Sequence, residues 1–365
     1  MTTTLAKVTD VKARAVTPPF KRAPTSASGA IPAASLVLID VDTDAGLTGR
    51  AYIFTYSTGM LKPVVETVRA LADLIKGEPV APFDIDAKVR GRLKLLDTPG
   101  LIGLALNGID QALWDIAAQA RGVPLAVFLG GTVKPIRAYN SCGLWIQSPE
   151  SAADDAEALV AEGDFQAIKL RVGRDDFAQD VAAARAVKKR VGDGITLMCD
   201  FNQRLTVAQA ITRGRALDDE GLYWIEEPTR HDDYEGYARI CAAVKTPIQT
   251  GENLLNTFEM VQALQANSLD FVMPDVQRIG GVTGWLRAAA IAQAHGVEMS
   301  SHLFPEYSAH LLAVTPTAHY LEYMDWANPV LNEPIQIKDG HALIPDRPGS
   351  GVTWNEEAVK RYQLT

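Results

Sequence analysis

The sequence predicts an α/β protein built around a closed parallel barrel, with a smaller α+β unit in front of it. The first observation is that short apolar strands alternate with alanine-rich helical segments from Pro135 onward. Strands separated by helices at intervals of about 20–30 residues are typical of a barrel rather than an open sheet. The second observation is length, because 365 residues exceed the roughly 250 that such a barrel uses.

Eight strands and several of the intervening helices can be placed along the barrel segment. The strands are predicted at Ile136–Ser141, Ala167–Arg171, Thr196–Cys199, Tyr223–Ile225, Ile248–Thr250, Phe271–Met273, Glu298–Ser300 and His319–Leu321. The clearest helices are predicted at Ser151–Glu162, Asp180–Val191, Val207–Asp219 and Gly284–His295. Between the seventh and eighth strands, Glu306–Thr315 has room only for a short helix.

The α+β unit occupies the first part of the chain. Ser35–Asp42 and Thr48–Phe54 are strand-like runs on either side of the turn Asp44-Ala45-Gly46. Helices are predicted at Leu61–Ile75 and Leu101–Ala120. Both structural types occur within one short stretch, which indicates an α+β unit rather than a continuation of the barrel.

The chain therefore divides into residues 1–130, the α+β unit, 131–330, the barrel, and 331–365. From about Pro334 the last part again reads as strand and loop, so we expect it to return to the N-terminal unit. Pro18–Pro32 is rich in Pro, Ser, Ala and Gly and has too few apolar residues for a core of its own. It is either a surface loop or a mobile flap over a site.

Composition and charge exclude several classes of protein. The 35 Lys and Arg against 44 Asp and Glu give a net charge of −9, and the chain has no basic cluster, so a nucleic-acid partner is not expected. The sequence contains no run of about 18 apolar residues, so we expect no membrane span. The N-terminus lacks the apolar segment of a signal peptide. A cytoplasmic protein is expected. Three scattered cysteines suit neither a disulfide framework nor a zinc site.

Ionisable side chains follow the predicted strands one after another. Because the carboxyl ends of barrel strands meet at one rim, these groups are expected to share a site. Folding needs alone rarely place such a group at each successive strand end. In strand order they are Lys169 and Arg171, then Asp200, Glu226 with Glu227, Glu252, Asp275, His302 and Glu322.

Three consecutive strand ends carry the carboxylates Asp200, Glu226 and Glu252. Clustered carboxylates repel one another unless a cation neutralises them, and hard oxygen ligands suit Mg²⁺. Three separately salt-bridged carboxylates are the alternative. Strand alternation lets only one of Glu226 and Glu227 face the mouth, and we assign Glu226 as the ligand and Glu227 as its support.

Asp275 and His302 end adjacent strands on the opposite sector of the rim. A carboxylate beside an imidazole fixes its tautomer and raises its basicity, which suits a general base. Lys169 would supply a cation for a substrate carboxylate, although a structural His302 or a surface Lys169 is the simpler alternative. Together these groups fit removal of a proton α to a carboxylate, where metal, cation and hydrogen-bond donor stabilise the enediolate.

These motifs resemble those of the enolase superfamily, and within it the mandelate racemase subgroup. The likeness covers nearly the whole chain. The matching segments are SLVLIDVDTDAGLTG, NGIDQALWD, AIKLRVG, DFNQ, WIEEPT, GENL, MPDVQRIGGVTGW, SSHLF and TPTAHYLE.

The resemblance implies a fold, a cofactor and a set of site residues. It implies a (β/α)₇β modified TIM barrel under an α+β capping domain, with Pro18–Pro32 as a substrate-covering flap, and a homo-oligomer. It implies Mg²⁺ on the three carboxylates, an Asp275–His302 dyad as base, a protonated Glu322 as donor to the enediolate, and Lys169 on the substrate carboxylate. The residues implied near the substrate are Asn202 and Ser141, with Phe54, Tyr56, Leu303 and Met324 lining a largely apolar pocket.

One departure from the family pattern affects the reaction. The usual second-strand motif is Lys-x-Lys, whose second lysine is the base opposite the histidine, but here it reads Lys169-Leu170-Arg171. A guanidinium group cannot ordinarily be deprotonated in a protein. The resemblance and an apolar pocket favour a racemase or epimerase of a 2-hydroxy acid, whereas Arg171 favours the one-base chemistry of an acid-sugar dehydratase. A metal-dependent carboxylate-binding protein without activity is the third hypothesis.

Overall fold

A three-stranded antiparallel sheet and a nine-stranded, mainly parallel sheet organise the chain in the computed structural model, which describes residues 5–96 and 98–364. The strands are β1 (Val8–Val16), β2 (Thr25–Ser26), β3 (Gly29–Ala30), β4 (Leu36–Thr43), β5 (Thr48–Phe54), β6 (Pro135–Asn140), β7 (Ala167–Arg171), β8 (Thr196–Asp200), β9 (Ile225–Glu226), β10 (Ile248–Thr250), β11 (Phe271–Val272), β12 (Leu321–Tyr323), β13 (Gln336–Lys338) and β14 (His341–Leu343). The helices are α1 (Leu61–Ile75), α2 (Pro82–Arg92), α3 (Leu101–Gln119), α4 (Leu125–Phe128), α5 (Pro149–Ala161), α6 (Phe177–Val191), α7 (Val207–Leu217), α8 (Tyr234–Cys241), α9 (Thr257–Gln265), α10 (Gly281–His295), α11 (Pro305–Ala313) and α12 (Glu356–Tyr362).

The capping domain is built on the antiparallel sheet, in which β4 lies between β1 and β5. The apolar run of β4 is almost completely buried because α1 and α3 pack against this sheet. Helix α1 presents Val64, Val68, Leu71 and Ile75 at spacings of three or four residues, and all four are buried. This spacing places the apolar side chains on one face of the helix.

Helix α3 approaches the sheet closely because each of the two elements has a glycine where it contacts the other. A Cβ built on Gly49 of β5 would lie 2.0 Å from the backbone oxygen of Ala112 in α3. A Cβ built on Gly108 of α3 would lie 2.6 Å from Ile39 Cδ1. Only residues without a Cβ allow this separation between helix and sheet.

The barrel runs from β6 to β11 in chain order, with every neighbouring pair parallel. Met299 then bridges Val272 and Ala318, and β12 pairs with β6 to close the barrel. Seven helices, α5 to α11, lie between the strands. The architecture is a (β/α)₇β barrel under an N-terminal capping domain, so the predicted fold class is confirmed.

Polar residues directly before the barrel helices mark where these helices begin. Five of the seven barrel helices follow a residue whose side chain accepts a hydrogen bond from a backbone N–H of the first turn, which stabilises the helix start. These residues are Ser148, Asp176, Thr206, Asp233 and Asn256.

Several elements differ from the sequence-based expectation. Strand β1 and helix α2 have no predicted counterpart. The predicted strand Glu298–Ser300 is reduced to bridges at Met299, and the eighth strand begins at Leu321 rather than His319. Both corrections arise because short apolar runs identify a strand but not which of its residues make ladder hydrogen bonds.

The C-terminal segment contains a helix, α12, in addition to the expected strand and loop. Strand β14 pairs antiparallel with β6 at the barrel, and the chain then crosses to the capping domain. There Trp354 Nε1 donates a hydrogen bond to Asp40 Oδ1 at 2.8 Å, and Arg14 Nη1 lies 2.6 Å from Glu356 Oε2. None of the helices in the described ranges is long and apolar enough to cross a membrane.

The close approach of β5 and α3 gives a test of the capping domain. We expect Gly49→Ala to lower the free energy of unfolding by about 1–3 kcal/mol, because the new methyl group meets backbone atoms that cannot rotate away. Gly91→Ala is the control, since a Cβ on this helical residue has no neighbour within 4 Å. It should be neutral or stabilise by about 0.5–1 kcal/mol. Thermal unfolding of both variants checks this, and equal midpoints would contradict it.

Candidate active site

A cavity of about 370 Å³ opens at the carboxyl ends of the barrel strands, the end at which barrel enzymes carry their active sites. Most of its lining is polar or charged. The ionisable groups in the wall are Lys169, Arg171, Asp200, Glu227, Glu252, Arg278, His302 and Glu322. Uncharged polar groups come from Ser26, Ser28, Asn202, Gln203 and Asn253.

Segment Pro18–Pro32 lies over this cavity, with β2 and β3 forming a small hairpin at its centre. Ser28 Oγ donates a hydrogen bond to the backbone oxygen of Asn202 at 2.6 Å. The backbone N–H of Ile146 donates to the Thr25 oxygen at 2.8 Å. These contacts favour the interpretation of the segment as a flap over an unrelated surface loop.

Several residues around the cavity have left-handed backbone conformations. Five non-glycine residues of the wall have positive φ: Tyr56 at 57°, Asn202 at 44°, Gln203 at 65°, Glu227 at 38° and Leu303 at 50°. Such conformations are costly for residues with a Cβ and persist only where the surrounding structure imposes them. They redirect side chains at the strand ends toward the cavity.

This conformation brings both of the paired glutamates to the site. Glu227 lines the wall and accepts hydrogen bonds from Asn253 Nδ2 at 2.8 Å and Gln203 Nε2 at 2.9 Å. Glu226 is fully buried behind the wall, with Oε1 2.5 Å from Lys169 Nζ. Glu227 reaches the wall through its positive φ, whereas Glu226 keeps the regular strand position and faces Lys169, which lines the cavity, so its assignment as a metal ligand stays a prediction.

Lys169 is the centre of a buried ion cluster. Its Nζ lies 2.5 Å from Glu226 Oε1, 2.8 Å from Glu322 Oε1 and 3.6 Å from Asp200 Oδ2. Burial alone would lower the pKa of Lys169, but Glu226 and Glu322 raise it above the usual value. Lys169 is consequently a fixed positive charge among three carboxylates.

The three carboxylates predicted to bind a metal contact two different side chains, Lys169 and His302. Asp200 and Glu226 face Lys169, whereas Glu252 Oε2 lies 3.4 Å from His302 Nε2. Across the described residues no three His, Cys, Asp or Glu side chains already have metal-binding geometry. The donor set nevertheless fits a hard divalent cation. Burial, together with repulsion from the neighbouring carboxylates, outweighs Lys169 and raises the pKa of Glu226 to about 8, so the cluster lacks positive charge.

The Asp275–His302 pair is present as a hydrogen-bonded dyad. His302 Nδ1 lies 2.7 Å from Asp275 Oδ2, and Asp275 Oδ1 accepts a hydrogen bond from the Gln277 backbone N–H at 2.6 Å. Burial lowers the pKa of His302, but Glu252, Asp275 and Glu322 outweigh it and raise the pKa to about 9. Since Nδ1 is engaged, Nε2 is the atom that can exchange a proton with a ligand.

Glu322 lies at the end of β12 and is held by three donors. It accepts hydrogen bonds from Ser141 Oγ at 2.8 Å and the Leu303 backbone N–H at 3.0 Å, and it pairs with Lys169. Burial raises the pKa of Glu322, but Lys169 and His302 hold it well below the usual range. The protonated donor that the resemblance implies at Glu322 stays a prediction. Ser141 supports this carboxylate and does not line the cavity.

Arg171 ends β7, whereas Asp275 and His302 follow β11 and the bridges at Met299. Its guanidinium carbon lies 4.6 Å from the centre of the Trp145 ring, and Nε lies 3.6 Å from Asp200 Oδ2. The side chain is buried and lines the cavity. The guanidinium group thus stacks on an indole and lies close to a carboxylate.

Four side chains of the wall carry buried polar atoms without a hydrogen-bond partner in the described structure. They are Tyr56 Oη, Trp145 Nε1, Asn202 Oδ1, and Nε and Nη1 of Arg171. A buried polar atom left unpaired costs about 1–3 kcal/mol. The cavity is therefore suited to a ligand that brings several polar groups.

The residues expected to form an apolar pocket make one wall of the cavity, and most of the remaining lining is polar or charged. Tyr56, Leu303 and Met324 do line the cavity, together with Trp326. Phe54 lies behind them, with its ring 4.4 Å from Tyr56 and 4.8 Å from Trp326, centre to centre. Sequence position could not separate Phe54 from Tyr56, because the strand ends between them.

The sequence analysis missed several residues of the wall, notably Arg278, Asn253 and Trp145. Arg278 Nη1 hydrogen-bonds Asn253 Oδ1 and the Glu252 backbone oxygen, and its guanidinium carbon lies 4.9 Å from the Tyr56 ring centre. A signal was available for two of them. Asn253 directly follows Glu252 and Arg278 lies three residues after Asp275, so both belong to strand-end loops already assigned to the site.

Comparisons with known proteins agree with this architecture. The chain is 34% identical to the L-talarate/galactarate dehydratase of Salmonella typhimurium over 335 residues, which are 91% of this chain and 83% of that protein. A solved enolase from the alphaproteobacterium BAL199 with bound magnesium is 44% identical, with a TM-score of 0.97 over 98% of this chain and all of the other. A Bradyrhizobium enolase complexed with magnesium and mandelic acid is 41% identical, with a TM-score of 0.95 over the full length of both chains.

Two family models match the chain in order. Residues 8–130 match the N-terminal domain of the mandelate racemase/muconate lactonizing enzyme family, and residues 151–358 match the enolase C-terminal domain-like family. Other relatives are named as cycloisomerases and as an epimerase. This chain is therefore an enzyme of the enolase superfamily and belongs to the mandelate racemase/muconate lactonizing enzyme family.

Proposed function

We propose that this enzyme dehydrates an acid sugar, a 2,3-dihydroxycarboxylate, to a 2-keto-3-deoxy acid and water in a Mg²⁺-dependent reaction. The observation that carries the proposal is the difference between the two groups in the positions of the family's bases. His302 forms a dyad with Asp275, whereas the second position holds Arg171, which contacts Trp145 and Asp200. A racemase needs a base on each face of the α-carbon, but a dehydratase needs only one.

The polar lining of the cavity supports the same conclusion. The hydroxyl groups of an acid sugar can pair with polar side chains that line the cavity, among them Ser28, Asn202 and Gln203. An aryl 2-hydroxy acid brings too few polar groups to pair with all of these side chains. A site built to bind substrate hydroxyls discriminates strongly against an analogue that lacks them.

Asp200, Glu226 and Glu252 are the residues that would hold Mg²⁺. Three solved relatives contain magnesium, which supports this cofactor for the present chain. When bound, the metal supplies positive charge that stabilises the negative charge developing on the substrate carboxylate. Lys169 then no longer has to neutralise Glu226 alone and can bind a substrate carboxylate as well.

The dyad can carry both proton transfers. In its neutral form, His302 accepts the α-proton at Nε2 while Asp275 holds Nδ1 and stabilises the imidazolium that forms. The imidazolium then donates this proton to the β-hydroxyl, which leaves as water as the C–O bond breaks. The resulting enol takes up a proton from solvent at the β-carbon and releases its hydroxyl proton to solvent, which gives the 2-keto acid, so atoms and charge balance without an oxidant or reductant.

A racemase or epimerase of a 2-hydroxy acid is the second candidate. The Bradyrhizobium relative was solved with mandelic acid, and Leu303, Met324 and Trp326 give this cavity one apolar wall. This reaction would require Arg171 to act as the second base, which its stacking on Trp145 opposes.

The first prediction concerns the product. With a panel of mono- and diacid sugars and mandelate, we expect 2-keto acid from at least one sugar acid and no loss of optical rotation from mandelate. His302→Asn should lower the dehydration rate by at least about 10²-fold, because it removes the proton-transfer group. His295→Asn, at an exposed helix end, is the matched control and should keep full activity. Racemisation without keto acid would favour the second candidate.

The second prediction concerns the metal. EDTA should abolish turnover and Mg²⁺ should restore it. Asp200→Asn and Glu252→Gln should each weaken Mg²⁺ binding at least about tenfold, because an amide oxygen lacks the charge that a hard cation prefers. Glu298→Gln, at an exposed position before Met299, should leave binding unchanged. Isothermal titration of the metal-free protein gives the dissociation constants, and unchanged values for the two site variants would refute the ligand assignment.

The third prediction concerns Arg171. In D₂O the α-proton that faces His302 should exchange quickly, whereas an epimer with its α-proton toward Arg171 should exchange slowly or not at all. Arg171→Lys should raise the slow rate, because an ammonium group can lose a proton to become a base. Arg171→Met, which supplies no base, is the control. Equal exchange from both faces of the unmodified enzyme, followed by NMR, would contradict the one-base mechanism.

A further inference from the structure

Two side chains inside the barrel hold one oxygen of Glu226. Trp224 Nε1 donates a hydrogen bond to Glu226 Oε2 at 3.1 Å, and Gln249 Nε2 donates to the same oxygen at 3.3 Å. All three side chains are completely buried. The other oxygen, Oε1, faces Lys169.

Strand geometry explains how these residues meet. Trp224 lies two residues before Glu226, so both side chains lie on the same side of the strand. Gln249 of β10 is directly paired with Glu226 of β9 in the parallel ladder. The three side chains are thus brought together by regular backbone structure rather than by a loop.

Packing alone does not account for Gln249. Trp224 packs with Tyr139 and Tyr320 in an aromatic cluster inside the barrel, which we call the barrel floor. An apolar residue at position 249 would fill the same space and would need no hydrogen-bond partner. Burying an amide without a compensating partner is costly. Apart from Met273 Sδ at 3.1 Å, Glu226 is the one side-chain partner of the Gln249 amide in the described hydrogen bonds.

We propose that Trp224 and Gln249 are positioning residues of the metal site, which hold Oε2 of Glu226 so that Oε1 alone is presented to Mg²⁺. The inference rests on Glu226 as a metal ligand, as in the proposed function. Mg²⁺ demands nearly regular octahedral geometry, which a carboxylate satisfies best through a single oxygen. Hydrogen bonds to the second oxygen fix this binding mode and the direction of the ligand.

The test compares variants of nearly equal volume. Trp224→Phe removes the indole N–H and keeps an aromatic ring, and Gln249→Met removes the amide and keeps the chain length. Tyr223→Phe is the matched control, because Tyr223 Oη bonds His319 Nε2 at the same barrel floor and does not contact Glu226. The measurements are the Mg²⁺ dissociation constant by titration calorimetry and the unfolding midpoint of the metal-free protein.

We expect each site variant to weaken Mg²⁺ binding about 10–100-fold, the usual effect of removing a hydrogen bond to a metal ligand. Tyr223→Phe should leave the dissociation constant unchanged. A purely structural role would instead lower the metal-free unfolding midpoint and leave the affinity as in the unmodified protein, which would overturn the inference.

Glu226→Gln separates this inference from the proposed function. If it leaves Mg²⁺ affinity unchanged, Glu226 is not a ligand, and both the ligand assignment and the inference fail. If Glu226→Gln weakens binding but Trp224→Phe and Gln249→Met do not, only the inference fails.

A measurement on the unmodified protein covers the case in which a variant does not fold. The indole N–H resonance of Trp224 should shift on titration with Mg²⁺, because its acceptor carboxylate takes up a cation. An indole spectrum in which none of the six tryptophan resonances moves would overturn the inference.

Discussion

The ammonium group of Lys169 neutralises the buried carboxylates at the mouth of the barrel, and much of the site depends on this charge. Carboxylates removed from water are stable as anions only where cations and hydrogen-bond donors are close. Glu226, Glu322 and Asp200 all lie within 3.6 Å of Lys169 Nζ. One ammonium group thus faces three carboxylates. The cluster therefore favours entry of a further cation, and the charge of Lys169 becomes available to an anionic ligand at the same time.

The backbone decides which side chains take part in this cluster. A parallel barrel brings the strand ends to one rim, but regular alternation would turn half of the side chains away. Positive φ angles at Asn202, Gln203 and Glu227 interrupt that alternation directly after β8 and β9. The regular strand positions before them keep Glu226, Trp224 and Gln249 behind the wall. As a result, Glu227 lines the cavity, whereas its neighbour Glu226 lies behind the cavity wall.

The side chain of Gln277 connects the capping domain to the loop of the dyad. Gln277, two residues after Asp275, accepts a hydrogen bond from the Phe54 backbone N–H at 2.7 Å and donates one to the Phe54 oxygen at 3.1 Å. The next residues of the cap lead to Tyr56, which lines the cavity. The position of the capping domain is therefore linked to the loop that orients His302. The close packing of α3 on β5 helps to hold the capping domain in this position.

The sequence by itself determined the order of the barrel strands, helix α1, strand β5 and the ionisable residue at each strand end, because these follow from local hydrophobic patterns and from the direction of parallel strands. Only the tertiary structure decided that Glu227 rather than Glu226 lines the cavity, that Phe54 lies behind Tyr56, and that Arg171 stacks on Trp145. These facts depend on backbone dihedral angles and on contacts between strands, which a local pattern does not specify. The pairing of Gln249 with Glu226 is of the same kind, because it results from the register between two strands whose residues are distant in the sequence.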